Sequence, residues 1–276
     1  MLPSYLSVPA SELGRGQPVR VHVAGDAKAL ATAMAEAMLE IVVEAQRQQR
    51  AATLIVPVGP VDQFPILARL INQQRVVCRE AAFINMDEYL TDSDEWIAES
   101  HSLSFRGFMR RQFYDLLAPD LAPLPQYRVF PDPANLSAIQ RLIDGRGGVD
   151  SCFGGIGING HIAFNEPEEN VPVADFARLS TRVVNLACET RTINSVTVGG
   201  EISVVPKRAV TVGMKEILAS RRLRFYCNRP WQSAVVRRVL HGPVSAACPA
   251  SLLRTHPDAQ LCLTDYVAAA PDVRLR

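Results

Sequence analysis

The sequence predicts a single α/β domain with a mostly parallel sheet and helices on both faces. Two observations carry this expectation. Short apolar runs of strand length alternate with stretches of helical spacing along the chain, and polar or Gly-rich segments follow several of the runs. Such alternation argues for parallel strands joined by crossover helices. A length of 276 residues with 48% hydrophobic and 21% charged residues suits one globular unit. That unit is expected to span residues 1–276, with residues 1–18 as an N-terminal extension.

VRVHVAG (Val19 to Gly25) reads as the first strand. After Asp26, the positions Leu30, Met34, Met38, Ile41 and Ala45 keep helical spacing. ATLIVPVG gives a second strand, followed by a helical stretch near Phe64 to Ile71. AAFINMDEY reads as a third strand ending in a charged loop. Phe105 to Leu117 reads as a helix, with YRVF a short strand after it. VDSCFGG, AVTVG, RLRFYC and AQLCLTDYV complete the strand candidates. Ligands of parallel sheets sit beyond the carboxyl ends of the strands, which directs attention to the loops after Val56, Ile84 and Phe153.

The overall balance excludes several partners. The formal charge is +1, from 29 basic and 28 acidic residues, and no dense Lys/Arg cluster is present to track a nucleic-acid backbone. No apolar run approaches the roughly 20 residues of a membrane span. The start, MLPSYLSVPASELGRG, lacks the basic and apolar regions of a signal peptide. Six scattered cysteines form no CxxC pair and read as mostly buried free thiols, so a reducing cytoplasm is expected. The expected partner is a small molecule, and self-association into a homo-oligomer is left open.

The segment GGIGINGHIAFNEP (Gly154 to Pro167) follows the strand VDSCF. Glycines at 154, 155, 157 and 160 let the backbone turn sharply and approach a ligand closely. Asn159, His161, Asn165 and Glu166 crowd the same loop, a convergence of polar groups expected of a site. The glycine order does not fit a dinucleotide fingerprint, and no GK[ST] follows as a P-loop requires. INMDEYL (Ile84 to Leu90) sets Asp87 and Glu88 directly after an apolar strand. Taken alone, the pair reads equally as a solvated turn or as a general base presented at a strand end.

Together, INMDEYL and GGIGINGHIAFNEP resemble the two characteristic stretches of the glucosamine-6-phosphate deaminase/isomerase family. The resemblance continues through HSLSFRGFMRRQF, TRTINS and VPKRAVTVG, and covers the chain from about Val19 to Val267 in order. It implies that Asp87 moves a proton between C2 and C1 of an open-chain sugar. It implies that His161 carries the proton that opens the pyranose ring, that Glu166 holds and tunes His161, and that Asn159 orients it. Substrate contacts are expected at Gly59, Glu88, Gly155, Gly157, Gly160, Arg191 and Arg229, and the resemblance implies that neither metal nor organic cofactor is required. The chemistry suits these types: an aldose–ketose shift needs one base over the C1–C2 face, and ring opening needs a group titrating near neutrality.

The chain departs from the family pattern at the phosphate sub-site. A small-residue loop of the TGGTP type is replaced by VGPVD (Val58 to Asp62), where Pro60 removes an amide donor, Val61 a hydroxyl, and Asp62 adds negative charge. Val196 stands where a basic residue is usual, and Gln232 falls on a position that usually carries Lys. Arg229 reads either as a solvated loop residue or as a replacement cation, and the placement of Arg191 and Lys207 toward a ligand is not a sequence property. A substrate without a 6-phosphate is therefore one expectation. A sugar lactonase on the same fold is a second reading, opposed by HIAFNEP and MDEY. A non-catalytic sugar sensor is a third, opposed by the roughly twenty residues before the first strand, too few for a helix-turn-helix.

Overall fold

The computed structural model describes residues 2–59 and 62–273. Ten strands are present among them: β1 (Arg20–Ala24), β2 (Thr53–Val56), β3 (Ala82–Asn85), β4 (Asp87–Leu90), β5 (Arg128–Val129), β6 (Ser151–Gly154), β7 (Arg182–Asn185), β8 (Arg208–Thr211), β9 (Leu223–Cys227) and β10 (Ala259–Thr264). The helices are α1 (Ala27–Arg47), α2 (Gln63–Gln74), α3 (Phe105–Gln112), α4 (Ala138–Gly145), α5 (Val173–Phe176), α6 (Cys188–Ser195), α7 (Met214–Leu218), α8 (Gln232–His241) and α9 (Asp265–Ala268).

The main sheet has the order β1-β10-β9-β6-β2-β3-β5, and all its pairings are parallel. Strand side chains alternate between faces. Leu54, Val56, Phe83 and Phe153 pack with α1, α2 and α3 on one face, while Ile55, Ile84, Cys152 and Phe225 pack with α4, α7 and α8 on the other. Burial on both faces explains why these strands read as unbroken apolar runs. Asp26 accepts from the Ala29 amide at 2.7 Å and caps α1, whose buried stripe includes Leu30, Met34, Met38, Ile41 and Ala45.

From β2 the chain steps outward to β3 and β5. From β6 it steps outward the other way, to β9 and β10. The reversal lies between the adjacent strands β6 and β2, and a crevice at such a switch point is where ligands bind in open α/β sheets. The loops singled out after Val56, Ile84 and Phe153 therefore share one end of three neighbouring strands.

Three expectations are corrected. NMDEYL is not the frayed end of the third strand: the main sheet loses the chain at Asn85, and β4 starts a second sheet two residues later. That sheet is antiparallel, with order β4-β8-β7. AVTVG belongs to it as β8 and not to the parallel sheet, and β7 is a strand that the apolar pattern did not announce. The helix expected from Phe105 to Leu117 stops at Gln112, where Phe113 turns out of helical geometry before a 3-10 turn over Tyr114–Leu116. The N-terminal segment packs against the body, with Leu13 buried and the Val8 carbonyl held by the buried Arg237 guanidinium at 2.8 Å. No helix of the described residues is long and apolar enough to cross a membrane.

Candidate active site

The Gly-rich loop after β6 is shaped by close approach. A Cβ on Gly157 would lie 2.0 Å from Cε1 and 2.1 Å from Nε2 of His161, so the imidazole sits directly on this backbone. Gly160 adopts φ +94°, and a side chain there would also meet the Cys248 sulfur at 2.7 Å. The Gly157 amide donates to the His161 carbonyl at 3.0 Å and closes the loop on itself. Gly155 is half-buried beside it, and Gly59, at the end of the neighbouring β2 loop, is exposed with open space around its Cα.

His161 is buried and held from one side. Its Nδ1 lies 2.8 Å from Asn159 Oδ1, 3.1 Å from Thr190 Oγ1 and 3.5 Å from Glu166 Oε2. Asn159 Nδ2 donates to Glu166 Oε2 at 2.8 Å, which fixes the amide with its oxygen toward the ring. An oxygen that only accepts requires Nδ1 to carry the proton, so Nε2 presents a lone pair. Among the described residues nothing bonds Nε2. Glu166 Oε1 accepts from the Ala187 amide at 3.1 Å, where α6 begins. Burial pushes the Glu166 carboxyl up, but the polar groups of His161, Asn159 and Thr190 around it and the His161 charge outweigh this and hold it below its usual range.

Asp87 opens β4 opposite Thr211 of β8. The Thr211 hydroxyl accepts from the Phe164 amide at 3.0 Å, three residues beyond His161, so one strand pair ties the carboxylate to the histidine loop. No hydrogen bond to the Asp87 carboxylate is made within the described residues. Burial, with the Glu88 charge beside it, pushes its carboxyl well above the usual aspartate range. Tyr89, on the same face of β4, packs against Phe164 and Phe105 with centroids 5.4 and 5.0 Å away, and its phenol oxygen accepts from Asn194 Nδ2 at 2.8 Å.

Glu88 is not a ligand-facing residue. It is 0% exposed, and its oxygens accept from the amides of Tyr89, Phe105 and Arg106, the Ser104 hydroxyl and the Arg106 guanidinium at 2.8–3.3 Å. Adjacent residues on a strand face opposite ways, so Asp87 and Glu88 cannot share a task. Glu88 instead caps the start of α3. Arg191 bonds the carbonyls of Val205 at 3.3 Å and Ile202 at 3.0 Å, pinning its own loop. Asn165 is likewise structural: its amide spans Ile162, Val212 and Arg182.

At the proposed phosphate end, Pro60 and Val61 lie outside the described residues, and Asp62 is exposed. Gln232 is buried at the start of α8. Its Nε2 donates to the Ile156 carbonyl at 2.8 Å and its Oε1 accepts from the Arg229 amide at 2.8 Å, so it braces the Gly-rich loop to the loop after β9. The Arg229 and Lys207 side chains are exposed, as is Val196 at 70%. The residue that sequence reasoning left without a role is Thr190, quoted within TRTINS and now found against His161.

The fold is shared by solved deaminases and lactonases of sugar phosphates. A solved monomeric glucosamine-6-phosphate deaminase aligns over 91% of this chain and 99% of its own with a TM-score of 0.78 at 26% identity. The 6-phosphogluconolactonase from Trypanosoma cruzi aligns over 91% of this chain and 96% of its own with a TM-score of 0.64 at 16% identity, a likeness of fold. No family model matches the sequence. The glucosamine-6-phosphate deaminase of Streptomyces coelicolor is 30% identical over 255 residues, covering 91% of this chain and 92% of that protein. That of Bacillus velezensis is 32% identical over 243 residues, covering 87% and 95%. The chain belongs to the glucosamine-6-phosphate deaminase family.

Proposed function

We propose that this protein is an amino-sugar isomerase/deaminase, converting glucosamine 6-phosphate or a close amino-sugar analogue to the ketose with release of ammonia. The observation that carries the reading is a division of labour between two groups tied by the β4–β8 pair. Among the described residues, His161 offers a bare Nε2 behind a fixed Nδ1–H, and Asp87 offers a carboxylate that makes no hydrogen bond.

His161 Nε2 takes the proton of the C1 hydroxyl and returns it to the ring oxygen as the C1–O5 bond breaks, giving the open-chain aldehyde. Asp87 removes the C2 proton while a proton passes from the C2 ammonium to O1, forming an enolamine, and then delivers the C2 proton to C1, leaving a protonated C2 imine. The resulting C2 imine adds water, and the carbinolamine expels ammonia to leave the ketose. Glu166 balances the transient imidazolium, and burial gives Asp87 a basicity suited to abstracting a carbon-bound proton. The free thiols support a reducing cytoplasm as its setting.

One observation favours a sugar with a neutral or absent C6 substituent. Gln232 is uncharged and both ends of its amide are engaged, so this position offers no cation at the junction of the β6 and β9 loops. A panel assay of ammonia release from phosphorylated and free amino sugars tests the proposal. The reading requires catalysed release from at least one of them, and none from any would refute it.

A further inference from the structure

We propose that Thr190 is a positioning residue for this reaction, a second acceptor beside Asn159 that holds the His161 ring in the tautomer that bares Nε2. The inference rests on the role given to His161 above. Glu166 Oε2 stands 3.5 Å from Nδ1, too far for a strong direct bond. Asn159 spans that gap, and Thr190 adds a second contact at the ring. Asn159 places its oxygen 2.8 Å from Nδ1 and its amide nitrogen 2.8 Å from Glu166. Thr190 Oγ1 lies 3.1 Å from Nδ1, on the same side of the ring.

The proton count decides the direction of these bonds. Nδ1–H is fixed by Asn159, so the Thr190 oxygen accepts from the ring. The hydroxyl therefore acts toward the ring as an acceptor, like the Asn159 oxygen. A helical threonine commonly turns its hydroxyl to a carbonyl of the preceding turn; this one faces the imidazole. Thr190 is fully buried, so no water competes for the contact. The first turn of α6 thus engages both partners, the Ala187 amide on Glu166 and the Thr190 hydroxyl on His161. With two acceptors at one N–H, ring rotation about the Cβ–Cγ bond breaks both contacts at once.

The test compares Thr190→Val and Thr190→Ser in the full chain. Valine keeps the shape and removes the oxygen; serine restores it. The 15N shifts of the His161 ring, assigned with His161→Gln, report the tautomer without any substrate. We expect Nδ1–H in the parent, a share of Nε2–H in Thr190→Val, and kcat about three- to tenfold lower at a KM within about twofold, with serine recovering both. An unchanged tautomer or an undiminished kcat in the valine variant overturns the proposal, as does a serine variant no better than valine. A tautomer shift in a protein that releases ammonia from no sugar would support this placement of Thr190 and refute the proposed function instead.

Discussion

His161 Nδ1 lies 2.8 Å from Oδ1 of Asn159, and this contact decides which ring nitrogen is available as a base. The Asn159 amide cannot flip, because its nitrogen is committed to Glu166 at 2.8 Å. An amide thus does part of the work of a carboxylate here: it fixes the tautomer, while the charge that stabilises an imidazolium sits one residue further out, on Glu166.

Asp87→Asn is expected to lower turnover by about 10²–10⁴-fold, the usual contribution of a general base. It should also stabilise the fold at neutral pH. The folded-state pKa of Asp87 is raised, so the unfolded chain loses its proton first as pH rises, and the charged group then opposes folding. Tm curves of the two proteins should converge below the ordinary aspartate pKa and separate above it, the variant higher. The acid limb of kcat/KM should lie above the ordinary aspartate range. A variant keeping half the parent turnover would remove Asp87 from its role.

Gly157→Ala tests the seat of the imidazole. The new methyl would overlap the ring at 2.0–2.1 Å, so the ring must shift. Misplacement of a catalytic group by about 1 Å costs about a hundredfold, so kcat should fall on that scale with little change in Tm. Full activity would mean that the ring does not act from this position.

Glu88→Gln tests the corrected role of the second carboxylate. An amide cannot accept from all the donors that converge on Glu88, and a buried donor left unpaired costs about 1–3 kcal/mol. Denaturant midpoints should fall accordingly while KM stays unchanged. Parent stability with a raised KM would return Glu88 to the substrate.

The sequence made much of this visible where the signal was local. The α1 stripe from Leu30 to Ala45 and the paired apolar strands followed from period alone. The three loops named from the sequence lie together at the sheet's carboxyl end because β6, β2 and β3 are neighbours. What stayed hidden depends on distant partners. β4 is a strand only because β8 pairs with it far along the chain, and Glu88 is tolerated inside it only because Ser104, Phe105 and Arg106 arrive with donors. Thr190 carried no chemical signal of its own until α6 docked it against His161.

Gln232→Lys addresses the C6 end of the substrate. A cation in place of the braced amide should raise the kcat/KM ratio of phosphorylated over free amino sugar by about ten- to a hundredfold, the scale of one charged hydrogen bond. An unchanged ratio would place the C6 group elsewhere.

The most direct test of the central claim follows both products from the best amino sugar of the panel. The account predicts ammonia and ketose formed in equal amounts and at equal rates by the parent, and neither product above background with Asp87→Asn. Hydrolysis of a sugar lactone with no ammonia from any amino sugar would contradict it, and would assign this site to the other chemistry of its fold.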